Sequence, residues 1–167
     1  MNEAVAPLKI EELILFILEH SRPNMGIKKL NKLAFFLEFT HLFEFDKPLT
    51  GQNYAAINMG PVIDNYKDLI VNMIKAGKIM PNTKADKGVE DYIPLEKLHG
   101  ISIDLQSFLS QVLEKYEKLS AKQLEDLTHV LDSYNITIHE NEGKMGKIID
   151  KDLAMLDYDL ALNGVSE

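Results

Sequence analysis

The chain contains no cysteine and no tryptophan. Without cysteine there can be no disulfide, no thiolate zinc site and no cysteine nucleophile. No apolar run approaches the roughly 18 residues of a membrane span. The N-terminal stretch MNEAVAPLKIEELILFILEHS lacks a basic start and carries Glu11, Glu12 and Glu19, which does not fit a signal peptide. A soluble cytoplasmic protein with no membrane partner is therefore expected. Positive charge is also scarce. The net charge is −8 and the isoelectric point about 5.1. Direct nucleic-acid binding needs Lys and Arg to displace counterions from phosphate, so this balance opposes it. The same acidity serves solubility, and it fits encounter with a basic partner.

The usual signatures of chemistry are missing as well. GxxxxGK[ST], GxGxxG and GxSxG do not occur. The five histidines, His20, His41, His99, His129 and His139, show no metal-ligand spacing among themselves. HENEG at His139 begins like a metalloprotease helix, but Gly143 stands where the second histidine belongs. NTKADKGVED has scattered acids and a glycine, yet Lys84 occupies an alternate position where a calcium loop needs oxygen. No pair of carboxylates stands out for acid–base work, and most acids read as solvated helix faces. The lysines Lys28, Lys29 and Lys32 read the same way, with phosphate contact as the alternative. These readings predict a non-enzymatic protein without metal or cofactor.

What is present is an ordinary globular composition. Apolar residues make up 46% of 167, enough for one domain with a real core. Apolar residues recur at helical spacing over 8–20 and 25–43, the second segment carrying Phe35, Phe36, Phe39 and Phe43. The stretch LTGQNYAAINMGPVIDNYKDLI (49–70) then changes character. It predicts a turn, a short strand within 53–59, and a sharp entry at Gly60-Pro61 into a third helix ending at Gly77. KIMP and DYIPL predict a hairpin within 78–98. A fourth helix is expected over 103–118. A fifth, opened by the capping box Ser120-x-x-Gln123, runs on Leu124, Leu127 and Leu131. Residues 139–146 read as loop and 147–162 as a last, acidic helix. The expected architecture is mainly α within the α+β class: a compact bundle of five to six helices with a small β-hairpin or short-strand element.

Three pieces in fixed order carry a resemblance. They are Lys29-Leu30-Asn31-Lys32-Leu33 in an aromatic-rich helix, Gly60-Pro61-Val62 closing the extended segment, and Leu127-Thr128-His129 after a Leu-Ser entry. Together they resemble the Panacea domain, over about residues 28–132. Chains of that family often carry a Trp soon after Thr-His, which this chain lacks, and residues beyond about 135 match nothing in the pattern. The resemblance implies one domain over 1–167, with 133–167 as an extension packed on it or used in partner binding. It implies an antitoxin-like interaction domain that neutralises a cognate toxin, encoded by an adjacent gene, through direct contact. It leaves two alternatives: an adaptor that delivers a partner to an ATP-dependent protease, or a DNA-binding autoregulator. Charge opposes the second, and fewer than about thirty residues precede the match, too few for an appended reader. Homo-oligomerisation stays open. Interfaces draw their energy from a few anchors, often aromatic. The candidate partner-binding residues are Lys28, Lys32, Tyr54, Asn58, Gly60 and Tyr66. Tyr54 is equally suited to the core. Asn31, Lys32, Asn58 and Gly60, as signature positions, are expected mainly to shape the fold.

Overall fold

One helix organises the molecule. The computed structural model describes residues 5–162. Within them the helices are α1 (Ile10–His20), α2 (Ile27–Phe45), α3 (Tyr66–Lys75), α4 (Ile103–Tyr116), α5 (Ala121–Thr128) and α6 (Asp132–Glu140). The strands are β1 (Tyr54–Ile57), β2 (Gly60–Ile63), β3 (Ile79–Pro81), β4 (Tyr92–Pro94) and β5 (Lys147–Ile148). Every residue of α2 from Lys29 to Leu42 is buried. A helix enclosed all round needs no clean amphipathic stripe, which explains its unbroken bulk of Leu and Phe. Helices α1, α4 and α5, strand β2 and the C-terminal segment all pack on it.

Its N-terminus is set by a buried carboxylate. Asp91, 6% exposed, accepts the backbone N–H of Asn24 at 2.9 Å and of Gly26 at 3.1 Å, and the Asn82 amide at 2.9 Å. A carboxylate there meets the free N–H groups and positive end of the helix. Midway along α2, Glu38 is fully buried. It accepts Leu49 N at 2.6 Å, Thr50 N at 3.0 Å and the Thr50 hydroxyl, pinning the loop that leads to β1. These two acids, with Asp157, are the buried exceptions among the described carboxylates, each held inside by donors that satisfy it.

Two small antiparallel sheets flank the helices, one ordered β2-β1-β5 and the other β3-β4. The β3–β4 hairpin forms as the sequence predicts, with Ile79 opposite Pro94 and Pro81 opposite Tyr92. The Gly60-Pro61 junction differs from its expectation. Both residues lie in β2, with Ala56 opposite Pro61 and Ile57 opposite Gly60, and the helix starts only at Tyr66. Ile63 directs its N–H away from β1, to Asn31 Oδ1 at 2.9 Å. Pro61, two residues earlier, faces the same side, so its missing N–H costs no ladder bond. Asn58 and Met59, expected within the strand, form the turn, and the junction opens a second strand rather than a helix.

The C-terminal third also departs from expectation. Helix α5 stops at Thr128 instead of continuing through Leu131, and α6 follows after a turn. Residues 147–162 form no α-helix: β5 pairs with β1 through Ala55–Ile148, and two 3-10 helices follow (Lys151–Leu156 and Tyr158–Leu160). Ile149, Ala154 and Leu160 from this segment are buried in the same apolar core as α2. Asp157 anchors it, accepting Ser133 N at 3.0 Å and the Ser133 hydroxyl at 2.5 Å. Burial pushes the Asp157 carboxyl up, against the pull of the Ser133 hydrogen bonds. Among the described residues no helix is long and apolar enough to cross a membrane.

Candidate partner-binding site

The three sequence signatures, far apart in the chain, meet under the β1–β2 hairpin. The hairpin turns through Asn58 and Met59, and the positive φ falls on the next residue, Gly60, at +98°. That pattern, a turn followed by a left-handed glycine, is a common hairpin solution. Glycine is required here for a second reason. A Cβ at Gly60 would lie 2.7 Å from Thr128 Oγ1, 3.4 Å from Lys32 Cε and 3.6 Å from Lys32 Nζ. So α2, β2 and α5 approach one another through a position that holds no side chain.

Each signature residue has a definable part. Asn31 donates to Ile27 O at 3.1 Å and accepts Ile63 N, fastening β2 to α2. Thr128, fully buried, donates to Glu125 O at 2.6 Å and presents Oγ1 beneath Gly60. His129 stacks on Tyr134 at 5.1 Å and 25°. Tyr134 in turn donates to Ile57 O at 2.5 Å, closing the hairpin from below. The Nε2 of His129 is buried without a hydrogen-bonding partner among the described residues.

The lysines correct the picture of a solvated face. Lys28 is exposed, but Lys29 is 8% and Lys32 only 3% exposed. Lys29 donates to Glu117 O, with Glu117 Oε1 at 3.9 Å. The Lys32 ammonium makes no hydrogen bond or ion pair among the described residues. Burial lowers its pKa, the Glu125 carboxylate opposes the shift, and Lys28 adds to it. The physical reason is geometry: an enclosed helix has no outer face, so charges on it are carried inward.

The other candidates separate into surface and interior. Asn58 is exposed at the hairpin tip, and Gly60 is buried below it. Tyr66 is half-buried at the start of α3, beside a shallow depression of about 390 Å³ bordered by Val62, Asp64 and Gly146. Tyr54 takes the core position: it is 1% exposed and packs edge-on against Phe35 and Phe39. Burial, with Glu38 adding, pushes its phenol well above the ordinary value. Sequence reasoning did not find Glu38, Asp91, Asp157 or Tyr134. Only Glu38 left a trace, as a lone acid amid Phe-Phe-Leu and Phe.

A larger depression of about 550 Å³ lies between the α1–α2 loop and the β3–β4 hairpin. Its polar groups are largely committed to one another, as in the Asn24–Asp86 pair at 2.6 Å and the Asp91 bonds. Among the described residues no group of three or more His, Asp or Glu has metal-binding geometry. What the hairpin cluster does is hold an exposed turn and the end of α5 in fixed relation.

That cluster contains the segments that a family model spans. The model described as antitoxin SocA-like, Panacea domain, matches residues 30–132. The chain belongs to that family. Neither a curated protein nor a solved structure matches it. The matched span of the Panacea domain starts one turn into α2 and ends at the first residue of α6. Tyr134 and the C-terminal core residues therefore lie beyond it.

Proposed function

We propose that this Panacea domain is an antitoxin that neutralises a cognate toxin by direct binding. The observation that carries the reading is the meeting of all three signatures at Gly60, within a chain of the antitoxin family. A cluster devoted to fixing a hairpin and a helix end produces a rigid, shaped surface, which lowers the ordering cost of binding a protein. In this reading Lys28, Asn58 and Tyr66 reach the partner, while Lys32, Tyr54 and Gly60 act from beneath. The toxin is the product of an adjacent gene, and the complex forms in the cytoplasm. No catalytic step is assigned to the chain.

The test is co-expression. The neighbouring small gene is induced with and without this chain, and growth and co-purification are measured. Relief of toxicity together with a stable complex is the expected result. Relief without a complex would transfer the reading to delivery of the toxin to a protease. Absence of toxicity would remove the toxin-paired role.

A further inference from the structure

We propose that the free edge of β4 takes up an extended strand of the protein partner, seated in the depression between β4 and the α1–α2 loop. The inference rests on the antitoxin reading for the partner's biological identity, and on the β3–β4 geometry for the strand. The register decides which backbone groups are spare. Asn82 N donates to Asp91 O at 2.9 Å and Leu95 N to Lys78 O at 2.8 Å. The hydrogen-bonded pairs therefore alternate with Ile79–Pro94 and Pro81–Tyr92, which lie opposite without bonding each other. The N–H and C=O of Tyr92 and the C=O of Pro94 point away from β3. None of them has a hydrogen-bond partner among the described residues. Tyr92, Ile93 and Pro94 all border the depression of about 550 Å³, and β3 supplies none of its lining. Successive side chains of a strand point to opposite faces, so a depression bordered by all three residues runs along the edge of β4. Its other wall is the α1–α2 loop. Ile27 N donates to Glu90 O at 2.7 Å, and Asn24 and Gly26 donate to the Asp91 carboxylate, which fastens that loop beside β4. Past Asp91 no hydrogen bond joins loop and strand among the described residues. Ser21, whose Oγ is enclosed without a partner among them, borders the opening.

Backbone chemistry identifies the occupant. An extended chain presents N–H and C=O at the spacing that Tyr92 and Pro94 require, and strand addition to a free edge is a recurring mode of peptide recognition. The lining charges balance, Arg22 and Lys84 against Asp86 and Asp91, so charge neither draws nor repels a strand. Leu18, Met25 and Ile93 add apolar walls, which suit alternate apolar side chains. Prolines guard the rest of this hairpin's edges. Pro81 and Pro94 have no N–H, and Ile79, the outward donor on β3, is only 1% exposed. On this hairpin Tyr92 is therefore the open position that both donates and accepts, and it fixes the register of the incoming strand. A second copy of the chain fits poorly. Its β4 edge lies behind its own α1–α2 loop, so the two loops would meet before the two strands.

The experiment uses the full chain, a synthetic peptide of alternating threonine and valine, and a twin of that peptide N-methylated at every residue. Amide hydrogen exchange is followed by NMR. In the free chain the Tyr92 amide should exchange faster than that of Ile93, which bonds across to Met80. The plain peptide should slow exchange at Tyr92. The twin has the same side chains and no N–H, and it should bind about tenfold more weakly, the scale of one or two lost hydrogen bonds. Tyr92→Pro leaves the β3–β4 ladder intact, removes the edge N–H, and should weaken binding of the plain peptide to a similar degree. Because that variant also loses a half-buried ring, its melting midpoint is measured, and the twin peptide tests the edge on the unaltered chain. Slow exchange at Tyr92 in the dilute free chain, equal binding of the two peptides, or protection by neither would each overturn the proposal. Protection that appears without peptide as the chain is concentrated would give the edge to a second copy and overturn it as well. In the co-expression assay, loss of rescue and of the complex by a folded Tyr92→Pro supports it. Retained rescue with an intact complex overturns the edge and leaves the antitoxin reading standing. Failure of the wild type to rescue counts against that reading alone, while the peptide result still decides the edge.

Discussion

Lys32 carries an ammonium group into a site where only 3% of the residue meets solvent, without a hydrogen bond from the described residues to hold it. Partial loss of solvent around the ammonium disfavours its charged form, and Glu125 offsets this only in part, so its pKa is lowered. Lys32→Met keeps the length and apolar stem and removes the charge. It should raise stability by about 1 kcal/mol, or the melting midpoint by about 2–4 °C for a chain of this size. A drop in midpoint would mean that Glu125 or ordered water compensates the ammonium fully. The pH dependence follows from the sign of the shift. Between the lowered folded value and 10.5, the unfolded chain binds a proton that the folded chain releases. Stability due to this residue therefore rises with pH across that window, and the penalty is complete below it. Denaturant midpoints measured as pH rises toward 10.5 should show this slope in the wild type and less of it in Lys32→Met, where Lys29 and Lys115, lowered for the same reason, keep their share. Rescue of growth lost in the more stable variant would show that the charge is kept for function at a cost in stability. The sequence marks Lys32 as a signature position but not as buried. Its neighbours on the helix are lysines, and only the tertiary enclosure of α2 takes most of its side chain out of water.

At the scale of elements, the hairpin and α5 are interlocked through one missing side chain. Gly60→Ala faces two obstacles: a φ of +98°, and a Cβ 2.7 Å from Thr128 Oγ1. Left-handed strain and overpacking each cost about 1–3 kcal/mol, so the variant should lose at least about 2 kcal/mol in denaturant unfolding. Thr128→Ala removes the clashing oxygen and leaves the backbone strain. The double variant should therefore be less destabilised than the sum of the singles. Strict additivity would mean that α5 does not press on the hairpin. A sharp change of direction at Gly60-Pro61 was legible in the sequence, because the residue before a proline is kept out of the helical region. The element that follows was not. Pro61 fits a first helical turn and an outward-facing strand position equally, and the outward side becomes known only when Asn31 takes the Ile63 N–H. The break after Thr128 was hidden for a related reason. No Gly or Pro marks it, and it is made by side chains, with Thr128 bonding Glu125 O and Asn135 bonding His129 O at 2.9 Å.

For the whole molecule, the family match and the core have different limits. The match ends at 132, yet Tyr134, Ile149, Ala154 and Leu160 lie in the apolar core. Helical periodicity could not reveal this, because 3-10 turns and a two-residue strand carry no 3.6-residue rhythm. Polar ties reinforce the packing: Leu162 N donates to Glu44 Oε1 at 2.8 Å, and Lys151 reaches Asn53 Oδ1 at 2.9 Å. Each large buried side chain contributes about 1.5–3 kcal/mol, and a whole domain holds only about 5–15. Removing Tyr134, Ile149 and Leu160 together therefore costs about 4.5–9 kcal/mol, a large share of what the fold has to lose. A chain cut after Asp132 should lack a cooperative melt and bind hydrophobic dyes, whereas the full chain should melt cooperatively. Circular dichroism and dye fluorescence on the two chains decide the matter. A cooperative, wild-type-like transition in the shorter chain would make the C-terminal segment an appendage, available to a partner without unfolding the domain. Loss of the transition would make it part of the frame that holds α2, and through α2 the hairpin that the signatures build.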